Sequence, residues 1–214
     1  MYFRSKPPRR LHIPLLLTLL LTITGVQAQG PGQAVSTGLP QFQFSSQTEI
    51  PVIEYRLVHQ LLAEQDPEPL LRVYGNGRVH AHFPAYMKRA GDYEYYLSRA
   101  ELNALLRGLS QDGVIDFDPA VVKAERKQLQ DQQRAAGELY YVSDATETII
   151  DIRLDEYRRH PGARRIKNLN KRFRWKDLEQ DERRFPQSNA IRRAAAGASR
   201  VHSLLDRPGM QRIQ

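Results

Sequence analysis

The tripeptide Gly75-Asn76-Gly77 constrains this fold more than any other stretch of the chain. Leu71 and Val73 precede it, and Val79, Ala81 and Phe83 follow it, apolar at every second position. Gly and Asn accept the positive φ that tight hairpin turns demand, and the alternation gives each flanking strand one face to bury. An antiparallel pair is expected here. Ile53, Tyr55 and Leu57 alternate in the same way before the break at Asp66-Pro67-Glu68-Pro69. Tyr93, Tyr95 and Leu97 do so after a loop through Pro84 and Gly91.

A helix follows at once. Ser98 and Glu101 have capping-box spacing, with Leu97 and Leu102 placed as a hydrophobic staple. Leu102, Leu105, Leu106 and Leu109 make one apolar stripe, with Leu105 and Leu106 expected in the centre of the core. Gly113 suits a left-handed helix end, where Val114 can touch Leu109. Asp118-Pro119 reads as an N-cap followed by proline at the first helical position, opening a more polar helix that fades by Gly137.

Beyond it, Tyr140 and Val142 and the run Thr148 to Leu154 suggest a second hairpin, and His160-Pro161-Gly162 turns toward a further strand through Ile166 and Leu169. Lys171 to Arg184 is too dense in charge to assign. Ser188 caps a last helix whose Ile191, Ala195, Ala198, Val201 and Leu205 share a face, with Gly197 weakening it by about 1 kcal/mol relative to alanine. Strands, helix, strands, helix: the expected class is α+β, an antiparallel sheet from two hairpin groups with helices on one face.

The N-terminus predicts export. Arg4, Lys6, Arg9 and Arg10 precede an apolar run from Ile13 to Val26, and Val26-Gln27-Ala28 offers a cleavage site. The run is short for a membrane span. Residues 1–28 read as a signal peptide, giving a periplasmic or secreted chain of about 185 residues with no transmembrane span left after cleavage. The expected organisation is a flexible leader at 29–48, an α+β core at 49–156 and a basic segment with the final helix at 157–214, packed on the core. The chain has no cysteine, so no disulfide, thiol catalysis or thiolate metal site is available and stability must come from apolar burial.

The net charge of +8 conceals a division. Residues 29–156 hold 12 Lys/Arg against 19 Asp/Glu, and residues 157–214 hold 16 against 5. Such a segment either meets an anionic partner or lies against the acidic body of its own chain, and packing is the expectation, with surplus arginines left outside.

The stretch Leu71-Arg72-Val73-Tyr74-Gly75-Asn76-Gly77-Arg78-Val79, with His82-Phe83-Pro84, Tyr86-Met87-Lys88, Gly91-Asp92-Tyr93 and Leu97-Ser98 before Glu101-Leu102, resembles a group of exported bacterial proteins of unestablished function over about residues 50–155. The hairpin followed by a Leu-Ser-x-x-Glu-Leu helix is also similar to emfourin-type protease inhibitors. Neither likeness carries functional residues over.

His80 and His82 fall on one face of a strand, where two imidazoles could share a metal ion, although a zinc site needs a third ligand; alternatively they face solvent while Val79, Ala81 and Phe83 turn inward. Asp112, Asp116 and Asp118 lack calcium-loop spacing, and Asp118 already has a capping role. Tyr86 and Tyr96, with Lys88 and Arg89, are the binding candidates, since tyrosine beside a cation suits contact surfaces. Tyr93 and Tyr95 share the face of Leu97 and read as core. No nucleotide-, metalloprotease- or hydrolase-type motif is present. The expected function is a non-enzymatic binding module without a cofactor. Its partner is another exported protein or an anionic envelope surface rather than nucleic acid. A protease inhibitor, and a metal-dependent or hydrolytic enzyme using His80 and His82, remain the alternatives.

Overall fold

A computed structural model of the chain describes residues 38–59, 66–138 and 145–213. The signal peptide, the first part of the leader and the strand expected at Tyr140 and Val142 lie outside these residues.

The turn at Gly75–Gly77 joins β3 (Leu71–Tyr74) to β4 (Arg78–Phe83), with Gly77 at φ +92° and its N–H donated to the Tyr74 carbonyl at 2.9 Å. A Cβ on Gly77 would lie 2.1 Å from the Leu97 carbonyl oxygen, so both its φ and its neighbour require glycine. Around this hairpin the described residues build an eight-stranded antiparallel sheet: β1 (Gln41–Gln43), β2 (Pro51–His59), β3, β4, β5 (Gly91–Tyr96), β6 (Thr146–Arg158), β7 (Ile166–Lys176) and β8 (Gln211–Arg212). β6 pairs with β2 along one edge and with β7 along the other, and β3, β4, β5 and β8 follow beyond β2. Since β7 already occupies one edge of β6 at Glu156 and Tyr157, β1 lies on the same side of β6 as β2.

Among the described residues, four helices cover one face. Ser98 and Glu101 close the capping box of α1 (Arg99–Gln111), and Asp118 caps α2 (Pro119–Ala135). The Val114 N–H reaches the Leu109 carbonyl at 2.9 Å with Gly113 at φ +75°, the left-handed ending expected. Asp177, itself left-handed, starts α3 (Leu178–Arg184), and Ser188 caps α4 (Asn189–His202). Leu102, Leu106 and Leu109 of α1 and Ile191 and Val201 of α4 are wholly buried against Ile53, Leu71, Val73, Val79, Ala81, Ile150 and Ile152 of the sheet. The Tyr95 hydroxyl donates to the Leu204 carbonyl at 2.8 Å, and the Tyr55 hydroxyl meets His202 Nδ1 at 3.2 Å. Thus Tyr93 and Tyr95 face the helices, as the alternation predicts. α4 packs closely on the segment that follows α1: a Cβ on Gly197 would lie 2.3 Å from Val114 Cγ2.

Three expectations need correction. The leader is not featureless to residue 48: β1 pairs with β6, Phe42 stacks on Tyr157 with ring centroids 5.7 Å apart, and Phe44 is buried under Arg99. The hairpin partner of Thr148–Leu154 is β7, through the turn at residues 160–163. The boundary expected at 156/157 falls inside β6, and the segment expected to pack on the core supplies β7, β8 and two helices. Phe173, Trp175, Ile191 and Val201 are buried as expected and Leu169 packs on the core, but Ile166 is 40% exposed. It sits at the start of β7, beyond the helices.

Candidate functional site

The other face of the sheet is lined with charge. Strand register places Arg172, Asp151, Glu54, Arg72, His80, Glu94 and Gln211 directly opposite one another in turn, one row crossing seven strands. Period-2 alternation explains it: each strand spends one set of residues on the core and leaves the other set outside. Asp151 accepts a bidentate pair from Arg172, at 2.6 Å from Nε and 3.0 Å from the terminal nitrogen. Glu54 accepts from Arg153 at 2.6 Å and Arg56 at 3.2 Å. Burial opposes the Glu54 charge, but the two guanidiniums outweigh it and hold the carboxyl below its ordinary range. Glu147 is held down in the same way by Arg174.

His80 and His82 lie on this face while Val79, Ala81 and Phe83 turn inward. They are tied together through Asp92, which sits opposite His82 on β5. Asp92 Oδ1 accepts from His82 Nδ1 at 2.9 Å and from His80 Nε2 at 3.0 Å. His82 Nε2 donates to Asp66 Oδ2 at 3.0 Å, and Arg72, which also binds Glu68, donates to His80 Nδ1 at 3.4 Å. A ring with a carboxylate at each nitrogen is best satisfied as imidazolium. Burial works against the His82 charge, but hydrogen bonds to Asp66 and Asp92 prevail and raise its pKa. The Asp66 carboxyl is lowered, first by His82 and then by the Glu68 N–H. The imidazoles are therefore joined to carboxylates side by side, and among the described residues no three His, Asp or Glu side chains are placed to hold a metal ion.

Tyr96 is on the same face at the far end of β5, opposite Arg78, and 64% exposed. Arg78 stacks on Tyr74 at 4.1 Å, pairs with Glu94 at 2.9 Å and donates to the Thr48 carbonyl, bringing exposed Ile50 to the same end of the sheet. Tyr86 and Lys88 are exposed in the β4–β5 loop, at the opposite end of the hairpin, so the four binding candidates do not form one patch. Arg89 lies over Phe83 and Tyr93 at 4.7 and 5.3 Å and reaches Met210, fastening β8 to the hairpin. The acids Asp112, Asp116 and Asp118 are used separately: Asp112 pairs with Arg200 at 3.0 Å, Asp116 accepts from the Tyr157 hydroxyl at 3.0 Å, and Asp118 caps α2.

Sequence reasoning finds the histidine face but misses Asp92 and Asp66, since only strand register and the β2–β3 loop bring them to His82. It also misses the central row, whose members come from seven strands spread from residue 54 to residue 211. Comparison with protein-family models, curated proteins and solved structures finds no match for this chain.

Proposed function

We propose that the chain is an exported, non-enzymatic binding module that engages another macromolecule through the uncovered face of its sheet. The observation that carries this reading is the use made of the charged groups on that face. Each imidazole and carboxylate of the His80–His82 cluster is bonded to a neighbour in the plane of the sheet, whereas catalysis needs acid, base and electrophile directed at one reacting atom. A surface of fixed charges of both signs instead gives a partner a definite electrostatic pattern to match, which contributes specificity and encounter rate. Tyr96, next to the Arg78–Tyr74 stack and Ile50, adds the aromatic and apolar contact area on which binding affinity usually concentrates.

Site-specific photo-crosslinking in the producing cell tests this. A crosslinker at position 96 is expected to capture one defined macromolecular partner in the envelope or medium, and the same group at Val121, exposed on α2, is not. Recovery of the chain from the cytoplasm would overturn export. Turnover of an ester, phosphoester or peptide substrate that His82→Ala abolishes would overturn the non-enzymatic reading.

A further inference from the structure

The surplus positive charge of the C-terminal third is not spread evenly. In the middle of β7, Arg172 and Arg174 are both spent on bidentate pairs with Asp151 and Glu147. At the turn end of the β6–β7 hairpin the balance differs: residues 157–167 contain five Lys/Arg and no Asp/Glu. Arg159 pairs loosely with Asp116 at 3.5 Å and Arg165 with Glu156 at 3.3 Å, and both keep about half or more of their side-chain surface exposed (62% and 48%). Arg164 and Lys167 are exposed and carry no ion pair among the described residues. Asp155 is the other acid close by in the chain.

Two apolar side chains sit among these cations. Ile166, between Arg165 and Lys167, is 40% exposed, and Leu39 is 62% exposed. Leu39 belongs to the same end of the sheet because Gln41 pairs with Arg158, and Gly38 packs so tightly on Pro161 that a Cβ there would lie 2.2 Å from the proline ring. Gln41 pairs with Arg158 on one edge of β6 and Ile166 with Tyr157 on the other, so Leu39 and Ile166 flank the strand close to the turn.

We propose that this end of the hairpin docks the protein on an anionic phospholipid surface, with Arg159, Arg164, Arg165 and Lys167 at the headgroups and Ile166 and Leu39 entering between them. The charge fits any polyanion, but the two apolar side chains favour a bilayer. They gain nothing against a solvated phosphate backbone, whereas an interface rewards a combination of basic and apolar groups. This surface is distinct from the sheet face proposed for a macromolecular partner, and either can fail without the other.

Vesicle co-sedimentation tests it, using the form of the chain recovered from the expressing cell. The probes are phosphatidylcholine vesicles alone and phosphatidylcholine mixed with phosphatidylglycerol, each at low and high salt. Binding is expected to the mixed vesicles only and to weaken with salt. The double variant Arg164→Glu, Arg165→Glu should bind at least about tenfold more weakly, since each cation near such a surface contributes measurably. The double variant Leu39→Ser, Ile166→Ser should also weaken binding while keeping the salt dependence. Lys127→Glu, a charge change on α2 remote from the tip in sequence, should bind like the parent. All these positions are exposed, and unchanged thermal melts verify folding. Equal binding to both vesicle types, or tip variants that bind like the parent, would overturn the proposal. So would tip-dependent binding to duplex oligonucleotide with none to vesicles.

Discussion

Asp151 and Glu54 stand directly opposite each other across the β6–β2 pair, two carboxylates at the middle of the sheet. Like charges so placed repel, and Asp151 is only 3% exposed. The arrangement holds because Arg172 grips Asp151 from β7 while Arg153 and Arg56 hold Glu54. Arg172→Ala should therefore cost about 1–3 kcal/mol, the usual penalty for a buried polar group left without its partner. Adding Asp151→Asn should recover part of that loss. Chemical denaturation of the two single variants and the double variant measures both effects, and an Arg172→Ala protein as stable as the parent would show that the repulsion is relieved elsewhere.

Gly197 shows propensity giving way to packing. In an isolated helix, alanine in its place would stabilise by about 1 kcal/mol. Here a Cβ would meet Val114 Cγ2 at 2.3 Å, so Gly197→Ala should instead destabilise by about 1–3 kcal/mol, as overpacked cores do. Val114→Ala in the same chain should remove most of the clash. If Gly197→Ala raises the melting temperature, α4 does not approach residue 114 this closely.

The first helix is expected to behave as its sequence reads. Leu106 is wholly buried, so Leu106→Ala should cost about 2–5 kcal/mol. Leu105 is buried to nearly the same degree and should respond similarly. Ser98→Ala removes the hydroxyl that caps Glu101 N–H at 3.2 Å and should cost about 1 kcal/mol. Melts of these variants decide whether the helix is placed correctly.

The His82 bridge gives stability a window in pH. The raised His82 pKa means that its contribution is complete below the ordinary imidazole value and is lost as pH rises through the raised one. The lowered Asp66 pKa means that its contribution is present above the ordinary carboxyl value and is lost as pH falls through the lowered one. The difference in melting temperature between the parent and His82→Gln should then be greatest between about pH 4 and 6.5 and shrink on either side. NMR titration of the His82 ring should show a midpoint above that of a free histidine. A normal midpoint with a pH-independent difference would rule out the bridge.

Local signals account for the parts of this fold that the sequence shows plainly. The turn at Gly75–Gly77, the Ser98–Glu101 box, the left-handed Gly113 and the Asp118-Pro119 start each depend on a few adjacent residues, and each is present. Where partners are distant the reading fails. β1 is hidden because Phe42 and Phe44 alternate inside a stretch rich in Gln and Ser, and its partner lies more than a hundred residues away. The strand expected through Ile166 and Leu169 is present, but its continuation to Lys176 is hidden because Arg172, Arg174 and Lys176 fill the outward positions, so that Phe173 and Trp175 look like isolated apolar residues rather than one face of a strand. Tyr86 and Tyr96 are close in sequence yet occupy opposite ends of the β4–β5 hairpin, because an extended strand separates its ends. His80 and His82 are legible as a pair since i and i+2 share a face, whereas Asp92 and Asp66 depend on register and on a loop.

Hydrogen exchange of the intact chain, read peptide by peptide, tests most directly whether the basic C-terminal third is a strand of the sheet or a free arm. The amides of residues 169–176 that bond to β6 should exchange slowly and together with residues 146–152 and 51–59, since β7, β6 and β2 share one hydrogen-bonded ladder, while residues 160–165 at the turn exchange quickly. Rapid exchange throughout 169–176, with 51–59 and 146–152 still protected, would contradict this structure and make the segment a dedicated anion-binding tail.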